Sequence, residues 1–124
     1  MSNLEMIVRF KIRPGQLEGF KAQAAEVMRL VRERDTGTLR YDWFVDEDAL
    51  EGEIHEVYAD ERALMQHGQN IAPAREAMFR DYAYDHRMSA YGDISPQFVA
   101  MARERAGGVA VHTFLQGLRQ AATV

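Results

Sequence analysis

The sequence predicts an α+β fold with the ferredoxin-like order strand, helix, strand, strand, helix, strand, followed by a C-terminal helix and strand. Three observations predict it. Apolar and polar residues alternate with a period of two in four separate stretches, a long stripe at helical spacing lies between the first two, and a second helical stretch joins the last two. A chain of 124 residues suits one domain, residues 1–124, with a core over about 5–91 and an extension over about 92–124.

Met6, Val8, Phe10 and Ile12 alternate with Ile7, Arg9 and Lys11, so the first strand has an apolar face and a partly basic one. Pro14-Gly15 ends it, and the proline suits the opening turn of a helix. In that helix Leu17, Phe20, Ala24, Val27, Met28 and Val31 form one stripe, while Glu18, Lys21, Arg29 and Glu33 lie off it. Asp35-Thr36-Gly37 breaks the helix. Leu39, Tyr41, Trp43 and Val45 then alternate with Arg40, Asp42 and Phe44 as a second strand, which the acidic loop Asp46 to Asp48 turns into a hairpin.

Titratable and aromatic side chains are densest between Gly52 and Gly68. Ile54, Glu56 and Tyr58 alternate with His55 and Val57 as a third strand; Asp60 is a good N-cap, and Glu61 suits the positive end of the helix that follows. Ala63, Leu64 and His67 share one face of that helix. Gly68 is expected to close it, before a further helical stretch runs through Pro73 with Ile71, Ala74, Met78 and Tyr82 on one side. Tyr84, His86, Met88 and Ala90 mark the fourth strand. In the extension, Ser95-Pro96 reads as an N-cap and first-turn proline, Phe98, Met101 and Ala102 as a narrow apolar stripe, and Gly107-Gly108 as a stop. Residues 109–114 read as a short fifth strand and 115–121 as a last helical turn.

Composition narrows the functions. Charged residues at 27% and hydrophobic residues at 47% match an ordinary globular protein, and no apolar run reaches the length of a membrane span. A net charge of −4 argues against a nucleic-acid surface, and the absence of cysteine removes disulfides, thiolate metal sites and thiol catalysis. The N-terminus lacks the pattern of a signal peptide, so a cytoplasmic address is expected. His55-Glu56-Val57-Tyr58-Ala59 lacks the second histidine of a metalloprotease helix, and His55, His67, His86 and His112 are far apart, so no metal site is expected. Glycine-rich nucleotide loops and a Gly-x-Ser-x-Gly turn are also missing.

Both sheet faces carry large groups, since Tyr41 and Trp43 oppose Phe44, and Ile54 and Tyr58 oppose Val57. With helices on one face only, two sheets packed back to back would bury the surplus, so a homodimer is expected.

Pro14-Gly15 with Phe20, Gly37-Thr38-Leu39-Arg40-Tyr41, and Glu56-Val57-Tyr58-Ala59-Asp60 followed by Ala63-Leu64 and His67 together resemble the antibiotic biosynthesis monooxygenase (ABM) domain family, which includes quinol monooxygenase-like proteins. The resemblance spans about residues 5–91 and implies a dimeric α+β barrel. It further implies oxidation of an electron-rich phenol, quinol or anthrone by O2 without metal or flavin cofactor. For that chemistry His67 is the candidate base, Tyr41 and Trp43 the wall for a planar ring, and Tyr58 or Tyr82 the hydrogen-bond donor to the anion. Glu56 is a supporting carboxylate, bonded within the protomer or across a dimer. Other readings stay open at this point. His67 also fits a core histidine satisfied by a carbonyl, the aromatic residues fit plain core packing, and the chain fits a small-ligand-binding or stress-response dimer without turnover. Haem binding or degradation fits less well, because the third strand has no tryptophan.

Overall fold

Alternation along the first stretch becomes a strand with one dry face: in β1 (Leu4–Ile12) every second residue from Leu4 to Ile12 is buried. The computed structural model describes residues 3–104 and 108–118. After β1 come α1 (Leu17–Arg34), β2 (Thr38–Asp46), β3 (Glu51–Tyr58), α2 (Glu61–Asp81), β4 (Ala83–Gly92), α3 (Pro96–Glu104) and β5 (Ala110–Thr113). The sheet order is β2-β3-β1-β4-β5. All pairings among the first four strands are antiparallel, with Val8 of β1 opposite Ile54 of β3 and Met88 of β4. This is the ferredoxin-like arrangement expected from the alternation. β5 adds to the edge of β4 in parallel, with Val111 opposite Ala90.

The core lies between the dry sheet face and the helices. Phe20 and Val27 of α1, Ile71 and Met78 of α2, and Phe10, Ile12 and Ile54 of the sheet are buried in one cluster. Phe20 packs its ring 5.3 Å from Phe10 and 5.8 Å from Trp43. A second cluster joins Leu4, Met6, Tyr58 and Ala90 to Phe98 and Ala102, so the extension is packed into the same body as the core. Among the described residues no helix is long and apolar enough to cross a membrane.

Several boundaries differ from expectation. Pro14-Gly15 forms a turn outside the helix; α1 starts at Leu17, with Gln16 at its N-cap. β3 starts at Glu51, and within it Gly52 leaves room for the Phe10 ring; a Cβ there would stand 2.5 Å from it. Gly68 does not end a helix. α2 runs unbroken through Gly68 and Pro73, because its buried stripe of Ala63, His67, Ile71, Ala74 and Met78 is continuous and outweighs the local penalties, about 1 kcal/mol for glycine and about 3 for proline. Asp60 caps this helix as expected, its Oδ1 accepting from the Ala63 N–H at 2.8 Å. Ser95 caps α3 in the same way through the Phe98 N–H at 3.1 Å. Residues 114–118 carry no helical turn, and Gly107 and residues 119–121 lie outside the described residues.

The far sheet face is less apolar than expected. Arg9 pairs with Glu53 at 3.3 Å, and Asp85 with Arg87 at 3.1 Å and Lys11 at 3.7 Å. These charges frame a strip of half-buried Ile7 and Val57, with the more exposed Phe44 ring 4.8 Å from His55. The apolar surplus is therefore a strip rather than a whole face.

Because Phe20 is 1% exposed at the meeting of α1 and the sheet, Phe20→Ala should lower stability by about 3–5 kcal/mol. Urea unfolding followed by circular dichroism measures it, and a loss below about 1 kcal/mol would contradict this packing.

Candidate active site

Between the dry sheet face, α2 and α3 lies a cavity of about 570 Å³. Its floor is apolar where Val8, Phe10, Ile54 and Met88 come off the strands. The polar end is built by β3 and α2, which bring Glu56, His67 and Arg75 to the same space.

His67 is 4% exposed, and its Nδ1 lies 2.7 Å from Oδ2 of Asp35. Asp35 is the C-cap of α1, its own N–H bonded to the Val31 carbonyl. The same carboxylate accepts from Thr38 Oγ1 at 2.6 Å and from Asn70 Nδ2 at 2.8 Å. Burial alone would raise the Asp35 carboxyl, but the bonds from Thr38, Asn70 and His67 outweigh it and hold the group below the usual aspartate range. An ionised Asp35 makes Nδ1 the protonated nitrogen of His67, which leaves Nε2 as the acceptor available to a molecule in the cavity. Burial pushes the imidazole below its ordinary value, against the pull of Asp35, so it is neutral at pH 7.

Glu56 behaves in the opposite sense. Full burial pushes its carboxyl up to about 7, although a hydrogen bond from the Tyr58 hydroxyl and the charge of Arg75 act the other way. Cavity chemistry therefore has a neutral base on α2 and a carboxyl on β3 that is half protonated near neutrality. Two phenols complete this end. Tyr41 sets its ring 4.7 Å from His67, tilted by 60°, and burial followed by the charges of Glu56 and Asp35 keeps its hydroxyl protonated well above pH 10. Tyr58 is wholly buried with its ring 5.3 Å from His67, and burial with the neighbouring Glu56 likewise raises its hydroxyl.

Of the residues singled out in the sequence, His67, Tyr41, Trp43 and Glu56 line the cavity. Trp43 meets Tyr41 edge-on at 5.9 Å. Tyr58 does not line it; it lies behind His67 and donates its hydroxyl to Glu56, a bond within the protomer. Tyr82 is placed elsewhere: it caps the C-terminus of α2, its N–H bonded to the Met78 carbonyl, and packs its ring where a Cβ on Gly19 would stand 2.5 Å away. It is not among the residues that line the cavity and packs beside Gly19 of α1. Asp35, Asn70 and Arg75 were not anticipated. Asp35 reads as a helix breaker in sequence, though Asn70 one turn beyond His67 places a second donor on the same helix face. Among the described residues no group of three or more His, Asp or Glu has the spacing to hold a metal ion.

The family model for antibiotic biosynthesis monooxygenases matches residues 4–83. The chain belongs to that family. Membership carries a monooxygenase-like role as the coarse functional assignment. No curated protein matches the chain. Among solved structures, MupZ from Pseudomonas fluorescens is similar with a TM-score of 0.80 and 21% identity, over 100% of this chain and 99% of that one. A Caulobacter crescentus protein carrying the same family name has a TM-score of 0.64 at 20% identity, over 71% of this chain and 86% of its own. Rv0793 from Mycobacterium tuberculosis also has a TM-score of 0.64 at 20% identity, over 76% and 97%. These likenesses establish the fold, and the MupZ match extends it over the C-terminal helix and strand.

The raised Glu56 carboxyl has a signed consequence. A group whose folded pKa is raised from 4.5 to about 7 contributes stability that is present below pH 4.5 and lost as pH rises through 7, about 3 kcal/mol in all. Between pH 5 and pH 8 the native chain should therefore lose stability relative to Glu56→Gln. Urea midpoints of both proteins at the two pH values test this, and parallel pH dependences would show that the carboxyl is not buried in solution.

Proposed function

We propose that the chain is a monooxygenase that needs no cofactor and oxidises an electron-rich aromatic of the quinol, phenol or anthrone type with O2. The observation that carries this reading is the buried Asp35–His67 pair, which presents a neutral imidazole to an apolar cavity. His67 Nε2 takes a proton from the substrate, and Asp35 steadies the imidazolium that forms, much as a buried carboxylate orients any catalytic histidine. The substrate anion is then electron-rich enough to reduce O2. In the anthrone case a CH2 carbon gains one oxygen atom, and its two hydrogens leave with the other oxygen as water, so atoms and electrons balance. Tyr41 and Trp43 flank a planar ring, and Tyr41 and Arg75 face the developing negative charge. The apolar floor keeps water from competing for the anion.

We also propose that two copies pair through the Ile7, Val57 and Phe44 strip on the far sheet face. Sedimentation equilibrium at micromolar concentration should return twice the 14.2 kDa chain mass. A single-chain mass would remove the pairing without touching the cavity chemistry.

Oxygen uptake with hydroquinones and an anthrone tests the catalytic reading. His67→Ala should reduce the rate by about 10²- to 10⁴-fold while circular dichroism stays unchanged. Asp35→Asn should reduce it less. Because only the neutral imidazole accepts a proton, kcat/KM should fall on the acid side, with its midpoint below the ordinary histidine value of 6.5. That limb should persist in Glu56→Gln. Uptake unchanged in His67→Ala would remove His67 from the mechanism. Saturable binding of an aromatic with no uptake would make the protein a binding module, and a Soret band on hemin titration would redirect the reading to haem.

A further inference from the structure

We infer that α3 determines which molecules the cavity admits, with Met101 and Ala102 setting how large a ring system fits. This rests on the reading of the cavity as a substrate site. The base and the carboxyl come from α2 and β3, within the part of the chain matched by the family model, whereas α3 begins at Pro96, beyond residue 83 where that match ends. Phe98, Met101 and Ala102 of α3 nevertheless line the same cavity. Chemistry and size selection therefore sit on separate segments of the chain.

α3 is a fixed wall. Phe98 and Ala102 are buried against Leu4, Met6, Tyr58 and Ala90, so lifting the helix would expose apolar surface on both sides. Its first turn is tied to α2 as well. Glu61 accepts from the Ser95 N–H at 2.9 Å and from Ser95 Oγ at 2.6 Å. Ala102 is 4% exposed, and each carbon added there has cavity space as its outlet. Met101 differs, since it lines the cavity while 45% exposed, which puts its flexible thioether at the boundary between cavity and solvent. Enlarging the first takes up cavity space. Truncating the second opens the rim.

The test uses binding rather than turnover. Trp43 is the single tryptophan and lines the cavity, so its fluorescence reports occupancy in the absence of oxygen. Hydroquinone, 1,4-dihydroxynaphthalene and 1,8-dihydroxyanthrone supply one, two and three rings. Met101→Ala should favour the three-ring ligand over the one-ring ligand by about tenfold relative to the native chain, the scale on which a pocket senses a few carbon atoms. Ala102→Leu should shift the ratio about as far in the opposite direction. Glu61→Ala, which cuts the tie without touching the cavity lining, should act in the direction of Met101→Ala. Arg103→Ala, on the exposed side of α3, should leave all three ligands unchanged. If Ala102→Leu fails to fold, Met101→Ala and Glu61→Ala still decide. A common factor for every ring size in these variants, no change, or no quenching by any ligand overturns the inference, and oxygen uptake then judges the catalytic reading alone. A shifted size preference in a protein that consumes no oxygen keeps the inference and removes catalysis.

Discussion

One carboxylate ties the molecule together at its polar centre. Asp35 closes α1 through its main chain and receives Thr38 from the start of β2, with His67 and Asn70 from the middle of α2. A buried anion is expensive to desolvate, and it persists only where its lone pairs are filled. Removing any one donor would leave the others holding a poorly solvated charge. The positions of α1, β2 and α2 are therefore coupled through a single side chain, and the orientation of the His67 ring follows from that coupling rather than from α2 alone.

Burial is what moves the two titrating groups of the cavity. Asp35 lies close enough to raise Glu56 by its charge and to oppose the burial of His67 by its hydrogen bond. Burial acts on both neighbours, yet with opposite chemical results, because it disfavours the charged form of each: the acid holds its proton, and the base stays without one. A site assembled this way contains both a donor and an acceptor at neutral pH. Arg75 adds positive charge at the same end, which favours an anion arriving or forming there.

Much of the fold was legible because burial follows periodicity. The alternation of Met6 to Ile12 and of Ile54 to Tyr58 marks the dry sheet face directly, and the caps at Asp60 and Ser95 follow from local chemistry. What was not legible depends on contacts distant in the chain. Gly68 and Pro73 carry breaker chemistry, but α2 is held by a stripe that spans them. Nothing local shows that Gly52 faces the Phe10 ring, whose space a Cβ there would take. In the site, His67, Glu56, Tyr41 and Trp43 could be picked out as a chemical set, whereas Asp35 is 32 residues from His67 and nothing local links them. Tyr82 follows the cavity residue Met78 at helical spacing yet turns its ring to Gly19 of α1, a distinction that periodicity does not encode.

The four residues of β5 have a further consequence. An open sheet margin with a long row of unpaired main-chain donors and acceptors invites another chain to continue the ribbon. Here β5 itself is brief, and the outer strand β2 carries the charges of Arg40, Asp42 and Asp46. Growth by adding strands is therefore discouraged at either border, which should let the protein remain dispersed at concentrations where a flat, uncharged border would seed fibres.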